Sequence, residues 1–129
     1  MALDPAVKEL FQAKNFGAVS VRMPSGDIAT TVMWVDADDD HVVFNTEVHR
    51  NKYKVLEKDP TVTIVAWYAE NPYHYAEVRG RVVSTETGPA AKDHIDALAK
   101  KYQGVDDYPN PIQTERVIVR IEPTRQRVQ

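Results

Sequence analysis

Hydrophobic and polar residues alternate with a period of two along much of the chain, as they do in half-buried β-strands. The clearest case is residues 18–23, which are followed by a turn at residues 24–27 and by a run rich in Thr, Val and Trp at residues 28–35. Further runs of β-branched, aromatic and other hydrophobic residues lie at 41–46, 61–68, 73–85 and 117–121. Together these runs predict six strands, most of them joined as hairpins.

Three helices are predicted between the strands. An Asp-Pro pair at residues 4–5 is typical of an N-cap and first helical turn, so a short helix is predicted from there to about residue 15. A second helix of one to two turns is predicted at residues 50–58. The third helix begins at residues 88–89, carries an apolar stripe at helical spacing and ends at Gly104.

The order of these elements predicts the fold class. The helices are too few and too late in the chain to alternate with strands as βαβ units, which argues against a doubly wound fold. Six strands in 129 residues instead predict a mainly β fold with accessory helices, in which a six-stranded antiparallel sheet curls into a small barrel. A chain of this length is typical of one domain, so residues 1–129 are predicted to form a single domain.

Composition narrows the classes of function. The absence of cysteine excludes a disulfide framework, a thiolate metal site and a cysteine nucleophile. A net charge of −3 without a basic face argues against nucleic-acid binding. No apolar run approaches the roughly 20 residues of a membrane span, and the first residues do not resemble a secretory signal. We therefore expect a cytoplasmic protein without nucleic-acid or membrane partners.

A basic cluster marks the start of the second predicted helix. Arg50, Lys52 and Lys54 follow a strand directly, where the free N–H groups and the dipole of a helix N-terminus favour an anion. Arg50 and Lys54 are four residues apart, which predicts that they share one helical face. The cluster suits a phosphate. The alternative is a solvated cationic face balanced by Glu57 and Asp59, in a protein with a purely structural role.

Other catalytic and metal-binding patterns are absent from the sequence. Residues 36–40 with Glu47 resemble a calcium loop, but His41 stands where that loop needs glycine, so a turn is predicted. The histidines have no metal-ligand spacing, and no serine lies in a glycine-flanked elbow. We predict no metal site and identify no catalytic side chain. Hydride chemistry by a bound cofactor remains open, because there the protein need only bind and orient.

Aromatic residues form a second suggestive feature. Trp34, Trp67, Tyr68, Tyr73 and Tyr75 lie on or beside predicted strands. They could wall a pocket for a planar ring system. They could equally fill the barrel and a subunit interface.

The order of the motifs resembles a known family. The motifs are a strand at 29–34, Asn45-Thr46, Arg50-x-Lys52, the segment 55–60, a strand at 62–65, a strand at 75–80 and the loop 109–111. In this order they resemble the split β-barrel flavin-binding proteins related to pyridoxamine 5′-phosphate oxidase, over nearly the whole chain. More narrowly, they are similar to the actinobacterial branch that uses the deazaflavin coenzyme F420. The resemblance implies an FMN-binding-protein-like split β-barrel.

The resemblance also implies which residues bind the cofactor. Arg50 and Lys52 would bind its phosphate, with Lys54 as a helper. The other implied residues line the ring (Thr31, Val32, Met33 and Trp34), lie near the ribityl chain (Asn45 and Thr46) or reach across from the second subunit of a homodimer (Tyr73 and Tyr75).

The implied activity is that of a coenzyme F420-dependent reductase, which transfers a hydride from the reduced deazaflavin to an unsaturated organic substrate. The proton would come from water or from a tyrosine such as Tyr73. An FMN-dependent oxidoreductase on the same barrel is the alternative, and so is a carrier protein that binds the cofactor without turnover. Residues 125–129 end the chain without the long substrate-binding tail of the pyridoxamine-phosphate branch, which argues against vitamin oxidation.

Overall fold

The computed structural model describes residues 2–129, which form three helices and seven strands. The elements are α1 (Pro5–Gln12), β1 (Phe16–Arg22), β2 (Ile28–Trp34), β3 (Asp36–Ala37), β4 (Val42–Glu47), α2 (Asn51–Lys58), β5 (Thr61–Tyr68), β6 (Asn71–Glu86), α3 (Pro89–Gln103) and β7 (Arg116–Val128).

All seven strands belong to one antiparallel sheet in the order β2-β1-β5-β6-β7-β4-β3. The two edge strands, β2 and β3, are consecutive in the chain and only Val35 lies between them. A one-residue link forces the two edges of the sheet to lie side by side, so the sheet curls round. Because β2 and β3 do not pair with each other, the barrel is split along this seam. The predicted mainly β split barrel is confirmed.

The structure has one strand more than the six predicted. The additional strand, β3, lies in the acidic stretch that was predicted as a turn. Asp36 and Ala37 pair with β4, and the turn begins only at Asp38. There the Asp38 carboxylate accepts hydrogen bonds from the backbone N–H groups of Asp40 (2.9 Å) and His41 (2.7 Å). A two-residue strand leaves no periodic pattern in the sequence.

The core fills the barrel and also extends under α3. Inward-facing residues of the strands pack against Val7, Leu10 and Phe11 of α1. All six residues of β4 are buried, because α3 covers its outer face: Val43 packs against Ala91 of α3. Residues 45 and 47 lie on the same face as residue 43, so the fold buries two polar side chains there. These two side chains, Asn45 and Glu47, lie beside the candidate functional site.

Gly17 permits the seam of the barrel to close. A Cβ atom at this position would lie 2.5 Å from Cγ1 of Val35 and 2.6 Å from the carbonyl oxygen of Val65. Because the second neighbour is backbone, a methyl group there would push apart β1 and β5.

We expect Gly17→Ala to lower the free energy of unfolding by about 1–3 kcal/mol, as overpacking of a core does. Urea denaturation measures this change. Ala97→Ser, on the exposed side of α3, is the control and should stay within about 0.5 kcal/mol of wild type. Equal stability of the two variants would contradict the close approach at Gly17.

Candidate functional site

A pocket of about 270 Å³ lies where β2, β4, the start of α2, α3 and the loop before β7 meet. It brings together eight of the residues predicted from the sequence: Thr31, Val32, Met33, Trp34, Asn45, Thr46, Arg50 and Lys52. Five further residues complete its lining: Ile95, Leu98, Tyr108, Asn110 and Arg116. Residues far apart in the sequence therefore form a single site at the seam of the barrel.

Three of the predicted residues lie elsewhere. Lys54 lines a separate groove with Arg22 and Asp59. The prediction that Arg50 and Lys54 share a helical face is wrong, because Arg50 is the N-cap of α2 and stands outside the helix. Tyr73 and Tyr75 lie on β6 and do not line the pocket of their own chain; the Tyr73 side chain is 79% exposed.

Three cationic side chains line the pocket. Burial lowers the pKa of Lys52, and the positive charges of Arg50 and Arg116 lower it further. Within residues 2–129, neither Lys52 nor Arg50 forms a side-chain hydrogen bond or ion pair with another residue. Among the described residues, these two side chains are therefore cations without an anionic partner.

Arg116, in contrast, is held firmly. It is 8% exposed, and its Nε donates a hydrogen bond to Oδ1 of Asn45 at 2.7 Å. Its Nη1 lies 3.7 Å from a carboxylate oxygen of Glu47, and its guanidinium carbon lies 5.2 Å from the centre of the Tyr108 ring. Burial lowers the pKa of Arg116, but an arginine stays charged in proteins. The pocket therefore has one fixed and two unpaired cations.

Among the described residues, Glu47 is the carboxylate that lies against Arg116, and it is already engaged. Its Oε1 accepts hydrogen bonds from the backbone N–H groups of Gln113 and Thr114, each at 2.8 Å. Burial alone would raise the pKa of Glu47, but these bonds and Arg116 hold it below its usual value. One carboxylate against three cations leaves an excess of positive charge, which fits a phosphate or a similar anion.

An aromatic wall borders the cationic end. The Trp34 ring stacks on Tyr102 with a centroid distance of 5.1 Å and an interplanar angle of 3°, and Tyr108 meets it edge-on at 6.1 Å. The Tyr102 hydroxyl donates to the carbonyl of Asn15 at 2.5 Å and accepts from the N–H of Val35 at 3.0 Å. Burial raises the pKa of Tyr102 to about 12. Trp34 thus rests on a fixed support.

The backbone of β2 supplies a further set of polar groups. As an edge strand of the sheet, β2 pairs with β1 alone. Alternate N–H and C=O groups along its other side therefore have no partner in the sheet. Because Thr31 to Trp34 line the pocket, these groups are available to the polar edge of a planar ligand.

Sequence reasoning missed Arg116, Tyr108 and Asn110. The loop 109–111 is part of the family resemblance, but nothing in its sequence indicates where its residues lie in the fold. Arg116 precedes a hydrophobic run and looks like an ordinary strand start. Its partner Asn45 is 71 residues away, so no local pattern connects them.

We expect Lys52→Met to raise the melting temperature of the protein in the absence of ligand. The lowered pKa means that the unfolded chain binds the Lys52 proton more tightly than the folded protein, so the charged side chain opposes folding at neutral pH. This opposition declines as the pH rises above that lowered pKa, and it is gone when the pH exceeds the ordinary pKa of lysine, because both states are then neutral. Thermal unfolding measures both effects.

The same variant should gain less stability from added inorganic phosphate than wild type does, because bound phosphate stabilises the cationic pocket. Lys58→Met, at the exposed end of α2, is the control and should respond to phosphate as wild type does. Lower stability of Lys52→Met together with an unchanged phosphate response would contradict the anion site.

Comparison with known proteins identifies the family. No curated protein sequence matches the chain. Among solved structures, an F420 reductase is 26% identical with a TM-score of 0.83, over 97% of this chain and 98% of that one. The general stress protein 26 of Bacillus anthracis str. Sterne is 20% identical with a TM-score of 0.68, over 95% and 90% of the two chains.

A third structure shares the fold. It is a pyridoxamine 5′-phosphate oxidase-related, FMN binding protein of Nostoc punctiforme PCC 73102, which is 13% identical with a TM-score of 0.62, over 86% and 71% of the two chains. In the part of the chain that the structure describes, no helix is long and apolar enough to cross a membrane. Residues 3–129 match the family described as pyridoxamine 5′-phosphate oxidase, and the chain belongs to that family.

Proposed function

We propose that this pocket binds the phosphate of coenzyme F420 and that the protein is an oxidoreductase that reduces an unsaturated organic substrate. The observation that carries the proposal is the convergence of Arg50, Lys52 and Arg116 in one pocket with a single, already engaged carboxylate. The similarity to an F420 reductase over 97% of the chain supports the choice of cofactor. The proposal keeps the cytoplasmic location expected from the sequence.

The residues of the pocket have distinct roles in this proposal. Arg50 and Lys52 bind the phosphate with charge-assisted hydrogen bonds. The open edge of β2, from Thr31 to Trp34, bonds the polar edge of the ring, and Thr46 lies beside the ribityl chain. When bound, the reduced coenzyme supplies a hydride from its ring carbon. Lys54 is left out of the binding set, because it lines the other groove.

A second subunit is part of the proposal. The pocket is slightly smaller than the roughly 300–1,000 Å³ typical of ligand sites, which fits a site that a partner completes. The outward face of β1, β5 and β6 carries Ala18, Val65, Trp67 and Tyr75, which are neighbours across the strands. We propose that this face forms a homodimer in which Tyr73 and Tyr75 reach the partner's pocket.

We expect Lys52→Ala to weaken coenzyme F420 binding by about 10- to 150-fold, because a charge-assisted hydrogen bond contributes about 1.5–3 kcal/mol. Fluorescence titration of wild type and variant measures the two Kd values. Lys58→Ala, on the same helix but outside the pocket, is the matched control. Equal affinities of wild type and Lys52→Ala would remove the phosphate assignment.

Parallel titrations with FMN decide between the two cofactors. Both carry a phosphate, so the cationic cluster alone does not separate them. We expect tighter binding of coenzyme F420, whereas a protein that is purified yellow with bound FMN would favour the FMN-dependent alternative.

Steady-state assays with reduced coenzyme and a panel of enones, quinones and tetrapyrroles test turnover. Tight binding without turnover of any of them would favour the carrier alternative.

We expect Val65→Glu to dissociate the proposed dimer, because it places a charge at the centre of the outward face and next to Glu77 across the strands. Sedimentation velocity at several protein concentrations measures the oligomeric state. Ala97→Glu, on the exposed side of α3, is the control. A wild-type protein that sediments as a monomer at all concentrations would contradict the homodimer.

A further inference from the structure

We propose that Arg116 is a third anion-binding residue of the pocket and that Asn45 and His94 are positioning residues that fix its guanidinium. The proposal deepens the proposed function, on which it rests where the anion is the cofactor phosphate. It arises from a continuous line of hydrogen bonds that runs from Asp36 on β3 through His94 on α3 and Asn45 on β4 to Arg116 on β7.

The chemistry of arginine sets the direction of this line. The Nε of Arg116 can only donate a hydrogen bond, so the atom of Asn45 that faces it at 2.7 Å must be the amide oxygen. The amide nitrogen of Asn45 then points the other way. It donates to the carbonyl of Ala91 at 3.0 Å and meets Nδ1 of His94 at 3.1 Å.

The orientation of Asn45 in turn determines the tautomer of His94. Since Nδ1 of His94 faces an N–H donor, it must accept and carries no proton. The ring proton therefore sits on Nε2, which donates to the Asp36 carboxylate at 3.0 Å. Every hydrogen bond in the line has one possible direction, and each one reinforces the next.

This line holds Arg116 in place before any ligand binds. Asn45 is 6% exposed, so a rotation of Arg116 out of the pocket would leave the buried amide oxygen without a donor. The bond to Asn45 uses one of the five guanidinium N–H donors, and the side chain lines the same pocket as Lys52. Arg50 is exposed and unpaired, whereas Arg116 is preorganised, which lowers the cost of ordering when an anion binds.

The resemblance implies that Asn45 lies near the ribityl chain of the cofactor, and the present proposal adds a positioning role. Its amide oxygen and its amide nitrogen are both bonded to protein groups. Asn45 acts on the ligand through Arg116.

The first test compares ligands with and without a phosphate. We expect Arg116→Met to weaken coenzyme F420 binding by about 10- to 150-fold. Binding of the phosphate-free deazaflavin with the same ring and ribityl chain should change by less than about threefold. Arg116→Lys, which keeps the charge but loses the Nε bond, should lie between wild type and Arg116→Met. Equal affinity of wild type and Arg116→Met for coenzyme F420 would overturn the proposal.

A matched control lies on the same strand. Arg120 is four residues further along β7, and its guanidinium bonds Ser84 and Glu86 outside the pocket. Arg120→Met should bind coenzyme F420 as wild type does. Thermal unfolding confirms that each variant is folded before it is titrated.

A double-mutant cycle separates positioning from a merely structural role. We expect Asn45→Leu to weaken coenzyme F420 binding in the wild-type background and to have no further effect in the Arg116→Met background. Losses that add in the double variant would show that Asn45 does not act through Arg116.

The direction of the hydrogen bonds is tested in the unmodified protein. The ¹⁵N chemical shifts of the His94 ring distinguish its two tautomers, and we expect the proton on Nε2. A proton on Nδ1 would overturn the line of hydrogen bonds and, with it, the positioning role of His94.

Inorganic phosphate separates a failure of this proposal from a failure of the proposed function. If neither coenzyme F420 nor FMN binds but ³¹P NMR detects phosphate binding that Arg116→Met abolishes, the proposed cofactor is wrong and Arg116 is still an anion-binding residue. If coenzyme F420 binds equally to both proteins, the cofactor assignment stands and the role of Arg116 is refuted.

Discussion

The pocket depends on the single residue that joins the two edges of the sheet. Val35 is the only residue between β2 and β3. Because these two strands form the opposite edges of the sheet, the two edges must lie side by side. The Val35 side chain is fully buried, its N–H donates to the Tyr102 hydroxyl, and Gly17 leaves the space that it needs. This seam places the open backbone of β2 next to β4 and the start of α2. Without it, the cationic residues and the aromatic wall would lie on different parts of the surface.

The charges in the pocket oppose folding rather than support it. Burial lowers the pKa of Lys52 and of Arg116, so the fold holds both in an environment that disfavours their charge. Arg116 is compensated by Asn45 and Glu47, whereas Lys52 has no anionic partner among the described residues. Groups held at such a cost typically mark a functional site. The repulsion of Lys52 by Arg50 and Arg116, which destabilises the free protein, also favours the binding of an anion.

Local patterns predicted most of the secondary structure. Alternation, together with runs of β-branched and aromatic residues, identified all six of the longer strands, and the left-handed Gly104 ends α3 as expected. The misses have equally local causes. β3 is too short to show a period, and Arg50 and Lys54 point to different grooves because α2 begins one residue later than predicted. A shift of one residue at a helix end is small along the chain but decides which side chains lie on a common face.

The sequence by itself determined the elements, their antiparallel connection and the cationic start of α2, because each of these depends on residues a few positions apart. Only the tertiary structure decided which cations share a pocket and how they are held. Arg116 and its partners Asn45 and His94 come from three separate elements, and their contacts span 71 and 49 residues. Such contacts arise from the curling of the sheet and the packing of α3 on β4. Periodicity in the sequence reports which face of an element is buried, but not what that face will meet.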